Sequence, residues 1–328
     1  MTGPLSVIVP VYNEAGNLSP LHDALVSALD AAQVAFEVLY VDDGSSDGSA
    51  EELRAIVASD PRARVIRFVR NYGQTAALSA GFRHARHPLL ATMDADLQND
   101  PADIPAMLKL LDEGHDVVCG WRADRKDPAI SRRLPSWLAN RLIAWLSRVD
   151  LHDYGCTLRV YRREYVKGVP LYGEMHRFIP IYVTWAGAKV VELPVRHHAR
   201  TRGVSKYGLS RVPKVLLDLT TVKFLRDFYV TPIYFFGWAG FAGLILGGAA
   251  WLGAVITYAL FDAPLAVLAL ALLGPILALF GVIEITLGII AEVLIRMHYD
   301  IRDKAPYRIR SVWNLETAEE VVSPGEAV

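Results

Sequence analysis

Cysteine is nearly absent: Cys119 and Cys156 are the only two in 328 residues. Two thiols cannot build a disulfide framework or a four-cysteine zinc site. Their expected state is reduced, in a cytosolic compartment. Net charge is equally scarce. The chain has 34 Lys and Arg against 35 Asp and Glu, a formal charge of -1. No bulk basic field exists to hold a nucleic acid, so none is expected as a partner. Glycine (24) and proline (18) are too few for collagen-like or low-complexity classes. Charged residues are only 21% and hydrophobic ones 52%, where soluble domains carry about 25% charge. With a mean hydropathy of +0.25, part of the chain is expected in lipid.

The apolar excess is concentrated. Residues 231–261 carry no charge, and 264–294 carry only Glu284 and Glu292. Each run exceeds the roughly 20 helical residues that cross a hydrocarbon core, so two tilted spans are expected. Lys214, Lys223 and Arg226 precede the first run. Arg296, Arg302, Lys304, Arg308 and Arg310 follow the second, and the Asp262-Ala263 link has no Lys or Arg. Basic flanks stay cytosolic. Both termini and the soluble part are therefore expected on the cytosolic side of the cell (inner) membrane. The start MTGPLSVIVPVYNE lacks a basic n-region and enters a strand pattern at once, so no signal peptide is expected. Glu284 is expected to face another helix and Glu292 to reach the interface, since either is costly in lipid. Gly243 and Gly247, with Gly240 nearby, suit close helix approach, either between subunits or between the two spans of one chain.

Before these runs, strand patterns at 6–11, 36–41, 64–69, 89–93 and 116–120 alternate with helical patterns at 17–32, 46–58, 75–85 and 101–113. Ser46 or Asp47 is placed to cap the second helix, and Pro101 opens the fourth. Such alternation predicts an α/β, Rossmann-like, mostly parallel sheet with helices on both faces. Another strand pattern covers 189–195. Residues 210–228 space Arg211, Lys214 and Asp218 on one side, as an amphipathic helix on a membrane surface would. The expected division is a soluble domain over 1–207, a juxtamembrane helix over 208–229, two spans over 230–297 and a cytosolic tail over 298–328, disordered from Glu316.

Ligands of parallel α/β sheets bind beyond the carboxyl ends of the strands. The first strand ends in Pro10-Val11-Tyr12-Asn13-Glu14, the second in Asp42-Asp43-Gly44-Ser45-Ser46-Asp47-Gly48, the fourth in Asp94-Ala95-Asp96-Leu97-Gln98. Alone, the second could be only a turn and a helix cap. Together they gather carboxylates in one crevice, which is unfavourable without a cation. Asp94 and Asp96, at i and i+2, share one side of an extended segment. Their oxygens suit Mg²⁺ or Mn²⁺ bridging substrate phosphates, and a metal-held diphosphate is a good leaving group. Asp42 or Asp43 is placed to accept hydrogen bonds from a base or ribose.

PVYNE, VDDGSSDGS, RNYGQTAALSAGF and MDADLQNDP, in this order, resemble family 2 glycosyltransferases of the GT-A fold. DYGCTLRVYRRE, HRFIP, RTRGVSKY and the two apolar runs look like the polyprenyl-phosphate branch. That branch includes dolichyl-phosphate mannose synthase. RNYGQ and DYGCTLRVYRR are nearest to the undecaprenyl-phosphate 4-deoxy-4-formamido-L-arabinose transferases. The resemblance runs from residue 5 to about residue 310. It implies metal-dependent, inverting transfer of a sugar from a nucleotide-sugar, UDP-linked, to a membrane polyprenyl phosphate such as undecaprenyl phosphate. The product would serve envelope glycan or lipid A modification, and the enzyme would be a homotetramer.

Residue by residue, the resemblance implies that Pro10, Tyr12 and Glu14 line the donor base pocket with Asp42 and that Asp94 also meets the donor. Asp94, Asp96 and Gln98 match the metal pattern D-x-D-x-Q, with Asp96 catalytic. Arg122 matches an arginine near the phosphates. Arg200, Gly203, Ser205 and Lys206 match the R-x-x-G-x-S-K motif that approaches the lipid phosphate. One departure stands out. A glucose-transferring branch carries an acidic residue in G-D-F-R-L, whereas residues 155–159 read Gly-Cys-Thr-Leu-Arg. Asp153 is the nearest carboxylate. Yet a phosphate monoester, with a second pKa near 6, is already an anionic nucleophile at pH 7 and needs no base. Asp153 is expected to orient an arginine or the metal. Cys156 is read as structural, and His197 and His198 as interfacial or structural. Two alternatives remain: a processive polysaccharide synthase, which would need Q-x-x-R-W and more spans, and a catalytically silent membrane scaffold, which would not need the acidic motifs.

Overall fold

The computed structural model describes residues 3–123, 141, 143–144, 147, 149–167, 169, 171, 175–198, 232–261, 263–300 (backbone alone from 295) and 309–314. They belong to two compact units, Met1–Asp218 with Ala305–Val328, and Leu219–Lys304.

The first unit is a mixed eight-stranded sheet in the order β7-β5-β6-β4-β1-β2-β3-β8. Strands β1 (Leu5–Val11), β2 (Phe36–Asp42), β3 (Ala63–Phe68), β4 (Leu89–Thr92) and β5 (Val117–Trp121) fall within a residue or so of the expected patterns. Near-continuous runs such as LSVIVPV are what a sheet covered on both faces demands. The helices α1 (Leu18–Ala31), α2 (Ser49–Ser59), α3 (Gln74–His84) and α4 (Ile104–Asp112) follow β1 to β4 in turn. Strand β7 (Val190–Pro194) pairs parallel with β5. Two strands lie beyond the expectation: β6 (Arg159–Arg162), antiparallel between β4 and β5, and β8 (Ile309–Trp313), antiparallel on β3. Four of the seven pairings are parallel.

One face of the sheet buries Val7, Val9 and Val11 with Leu18, Leu21, Leu25 and Leu29 of α1. The other packs Leu39, Val41, Ile66 and Phe68 on Ala76, Ala77 and Ala80 of α3. Small residues let α3 lie close: a Cβ on Gly81 would fall 2.2 Å from Ile8 Cγ2. At the amino ends of the strands, buried Glu37 accepts from Ser6 Oγ (2.6 Å), Arg64 Nη1 (2.5 Å) and Arg86 N (2.8 Å).

The second unit pairs two helices, Pro232–Leu260 and Pro264–Asp300. Over Pro232–Leu260 and Pro264–Leu294 they are long and apolar enough to cross a membrane. Their glycines meet backbone to backbone. A Cβ on Gly243 would lie 3.0 Å from Gly281 Cα, and one on Gly247 would lie 2.8 Å from Gly274 O. Of the two uses expected for this glycine row, the structure shows the packing of the two helices within one chain. Glu284 is half-buried, one turn from Gly281 and Gly288, whose Cβ positions face the first helix. The expected surface helix over 210–228 and the motif Arg200–Lys206 lie outside the described residues.

Candidate functional site

The chain leaves β1 into a loop that is stitched to the loop after β2. Asn13 N donates to Ser45 Oγ (3.0 Å), Glu14 N to Ser49 Oγ (2.9 Å) and Ala15 N to Asp47 Oδ2 (3.1 Å). Asn13 accepts in return from Ser46 N at 2.9 Å, with φ at 54°, a conformation Asn tolerates because its side chain bonds locally. Asp47 does not cap α2 by starting it. The helix begins at Ser49, and Asp47 Oδ1 accepts from Ser49 N (3.0 Å) and Ser49 Oγ (2.5 Å) in an Asx turn. Pro10, Tyr12 and Glu14 are all half-buried on this rim.

The paired aspartates after β2 divide their work. Asp42 is fully buried; its Oδ1 accepts from Ser45 N (2.8 Å) and its Oδ2 sits 2.9 Å from Arg67 Nε. Asp43 reaches the other way and accepts from Tyr72 N (2.6 Å) and Gly73 N (2.8 Å). Gly44 permits this junction. Its φ is +70°, and a Cβ there would lie 2.5 Å from the Arg70 carbonyl carbon.

Asp94 and Asp96 follow β4. Leu97 turns back with φ at 60°, an uncommon value for a bulky residue, and Gln98 N donates to Asp96 Oδ1 at 3.2 Å. Gln74 Nε2 donates to Asp94 Oδ1 at 2.7 Å. Burial, and then the charge of Asp96, push the Asp94 carboxyl up to about 6, although the Thr157 hydroxyl and Arg122 pull it down. Such a carboxylate pair is short of positive charge, and its all-oxygen donors suit a hard divalent cation. Among the described residues no cluster of three or more His, Cys, Asp and Glu is gathered to hold a metal. A cation here would rest on two carboxylates, with water and phosphate oxygens completing its shell.

Beside this pair, Arg122 and Asp153 form a two-pronged ion pair, Nε–Oδ2 at 2.7 Å and Nη2–Oδ1 at 3.0 Å. Asp153, 3% exposed, also accepts from Gly155 N at 3.0 Å. Thr157, at the position near the missing acidic residue, accepts from Asn99 Nδ2 at 3.1 Å. His176 of HRFIP is buried, 2.9 Å from Thr75 Oγ1 through Nδ1, and burial with Arg177 and Arg159 lowers its pKa to about 3, so it is neutral. Burial raises Cys156 to about 11, which fits a structural thiol rather than a nucleophile. His197 bridges Asn99, and His198 N donates to Gln98 O at 2.9 Å, both backbone roles. Gln74, Asn99 and Thr157 carry no expectation from the sequence, and Asp43, expected to accept from a base or ribose, accepts from Tyr72 N and Gly73 N instead. RNYGQ, sitting between two motifs that end at the same crevice, was the available signal.

The model of the family described as Glycosyl transferase family 2 matches residues 6–169. Dodecaprenyl-phosphate galacturonate synthase of Rhizobium johnstonii is 41% identical over 94% of this chain and 93% of its own. Undecaprenyl-phosphate 4-deoxy-4-formamido-L-arabinose transferase is 36% identical in Edwardsiella ictaluri, over 96% of both chains, and 38% identical in Pseudomonas aeruginosa, over 94% and 90%. Glucosyl-3-phosphoglycerate synthase from Mycobacterium tuberculosis, solved with Mn²⁺, UDP and its product, shares the fold, with a TM-score of 0.51 and 20% identity over 68% of this chain and 79% of that one. Half of the chain fits the family model, relatives align along nearly all of it, and the acidic loops converge at the sheet edge: the chain belongs to glycosyl transferase family 2.

Proposed function

We propose that this chain transfers a sugar, with inversion, from a UDP-sugar to the phosphate of a membrane polyprenyl phosphate such as undecaprenyl phosphate. The product is a polyprenyl-monophosphate sugar for envelope glycan or lipid A modification. The observation that carries this reading is the meeting of Asp94 and Asp96 with the Arg122–Asp153 pair beyond the carboxyl ends of β4 and β5. The names of the relatives, polyprenyl-phosphate sugar enzymes, support the acceptor class.

In this reading Pro10, Tyr12 and Glu14 line the nucleoside pocket. Asp42 shapes its floor by holding Arg67 and the Ser45 turn. Asp94 and Asp96, with Gln98, hold Mg²⁺ or Mn²⁺, which when bound neutralises charge on the departing diphosphate. Arg122, aimed by Asp153, faces the phosphates. Both oxygens of Asp153 are engaged by Arg122, which supports an orienting role over proton abstraction. Arg200, Ser205 and Lys206 receive the lipid phosphate. For Arg200, chain connectivity supports this: His198 is paired to Gln98, and two residues of chain reach at most about 7 Å further.

Both spans lie between β7 and β8 of one sheet, so two crossings return the chain to the side it left. The basic flanks support a cytosolic side. We place the soluble domain and both termini there, at the inner membrane, with residues 208–229 lying on the surface. A homotetramer rests on the resemblance alone.

The test is thin-layer analysis of lipid products from purified full chain, given a panel of radiolabelled nucleotide sugars. A labelled lipid should need both added polyprenyl phosphate and a divalent cation, and Asp94→Asn and Asp96→Asn should abolish it. Polymer made without added lipid phosphate would point to a processive synthase instead. No binding of any nucleotide sugar would point to a silent scaffold.

A further inference from the structure

Gln74 is the last residue of RNYGQ and the first of α3. Its backbone is held on both sides. Gly73 N and Tyr72 N donate to Asp43, while Thr75 Oγ1 meets buried His176 Nδ1 at 2.9 Å. The helix behind it is seated without slack, since Thr75, Ala76, Ala77, Leu78, Ala80 and Gly81 are all buried. From this fixed base the side chain reaches Asp94 Oδ1 at 2.7 Å. A carboxylate only accepts, so the amide nitrogen must be the atom in contact. Thr157 lies near the same carboxylate and favours its charged form, and Asn99 Nδ2 fixes the Thr157 hydroxyl at 3.1 Å. Asp94 is thus held by the Gln74 amide, with Thr157 beside it on a separate element.

We propose that Gln74 is a positioning residue. With Thr157 it sets the rotamer of Asp94, leaving the carboxylate aimed at the cation, and Asp43 ties this grip to the loop that lines the nucleoside pocket. The proposal rests on the reading of Asp94 as a metal ligand. Partners that orient a metal-bound carboxylate are worth about 10- to 100-fold in metal affinity.

The experiment is Mn²⁺ binding, followed by the EPR signal of free Mn²⁺, to the full chain in detergent with UDP. Gln74→Met keeps size and removes the donor, and should weaken Mn²⁺ about 10- to 100-fold without a change in melting temperature. Thr157→Val should act in the same direction and Thr157→Ser should restore affinity. Asp43→Asn should weaken Mn²⁺ less, and combined with Gln74→Met should add nothing. Wild-type Mn²⁺ affinity in both Gln74→Met and Thr157→Val, with Asp94→Asn defective, would overturn the positioning role alone. Wild-type affinity in Asp94→Asn would overturn the metal reading and this proposal with it.

Discussion

Asp153→Asn separates two chemistries that look alike in a mutant screen. The native carboxylate takes both prongs of Arg122, at 2.7 and 3.0 Å, in a pocket where Asp153 is 3% exposed. Asparagine keeps the shape and one acceptor, but loses the charge that holds the guanidinium. A hydrogen bond to a charged group is worth about 1.5–3 kcal/mol. At 1.36 kcal/mol per decade, a misaimed Arg122 should lower kcat/KM by about 10- to 160-fold. If Asp153 works through Arg122, Arg122→Ala should lose at least as much, and the double variant should lose no more than Arg122→Ala. The acid limb of the pH–rate profile should keep its position, because the nucleophile is the lipid phosphate itself. Radiolabel transfer to polyprenyl phosphate, with initial rates over a pH series, reads all of this. An additive double variant, together with loss of the acid limb, would show that Asp153 takes a proton and that the orienting argument is wrong.

Three further outcomes are expected. Burial alone would raise the Glu37 carboxyl, but Ser6, Arg86 N–H and Arg64 outweigh it and hold it below its ordinary 4.5. A depressed folded pKa stabilises above the unfolded value and is lost as pH falls below it. Glu37→Gln should therefore cost about 3 kcal/mol at pH 7, the low end for a broken buried pair, and flatten the acid limb of thermal unfolding; an unchanged acid limb would refute the assignment. In the first span, Gly247→Val should destabilise the helix pair by about 1–3 kcal/mol, because a Cβ there would meet Gly274 O at 2.8 Å, whereas neighbouring Gly248→Val, with nothing within 4 Å, should be silent. Equal melting temperatures in detergent would contradict that packing. Arg200→Ala or Lys206→Ala should raise KM for polyprenyl phosphate and leave UDP-sugar affinity by calorimetry unchanged; the reverse pattern would move the motif to the donor site.

Most of the sheet was legible because β1 to β5 are apolar runs bounded by turn residues, each followed by a helical period. Strand β6 was not: RVYR is half arginine, and Arg159 is buried only because its guanidinium donates to Tyr154 O and His176 O. Strand β8 was not either, since five residues beyond two spans carry no hint of pairing with β3. The acidic loops announced the crevice, yet local pattern cannot divide labour between Asp42 and Asp43, which differ only in which way the pleat turns them. The grip on Asp94 was equally hidden, as its donor comes from Gln74, 20 positions away. Glycine spacing in the span declared close packing but not the identity of the partner.

The placement of β8 makes the sheet depend on the two long apolar helices that precede that strand in the chain. Translation delivers β3 early and β8 only after both helices have emerged, so the β3 edge waits bare until then. Val65, Ile66 and Phe68, all fully buried in the finished chain, belong to that waiting edge, and open strand edges recruit other chains. A form cut before Pro232 would keep every acidic loop and still lack its last strand. Such a truncation should aggregate where the full chain does not, and supplying residues 305–328 as a separate peptide should suppress it.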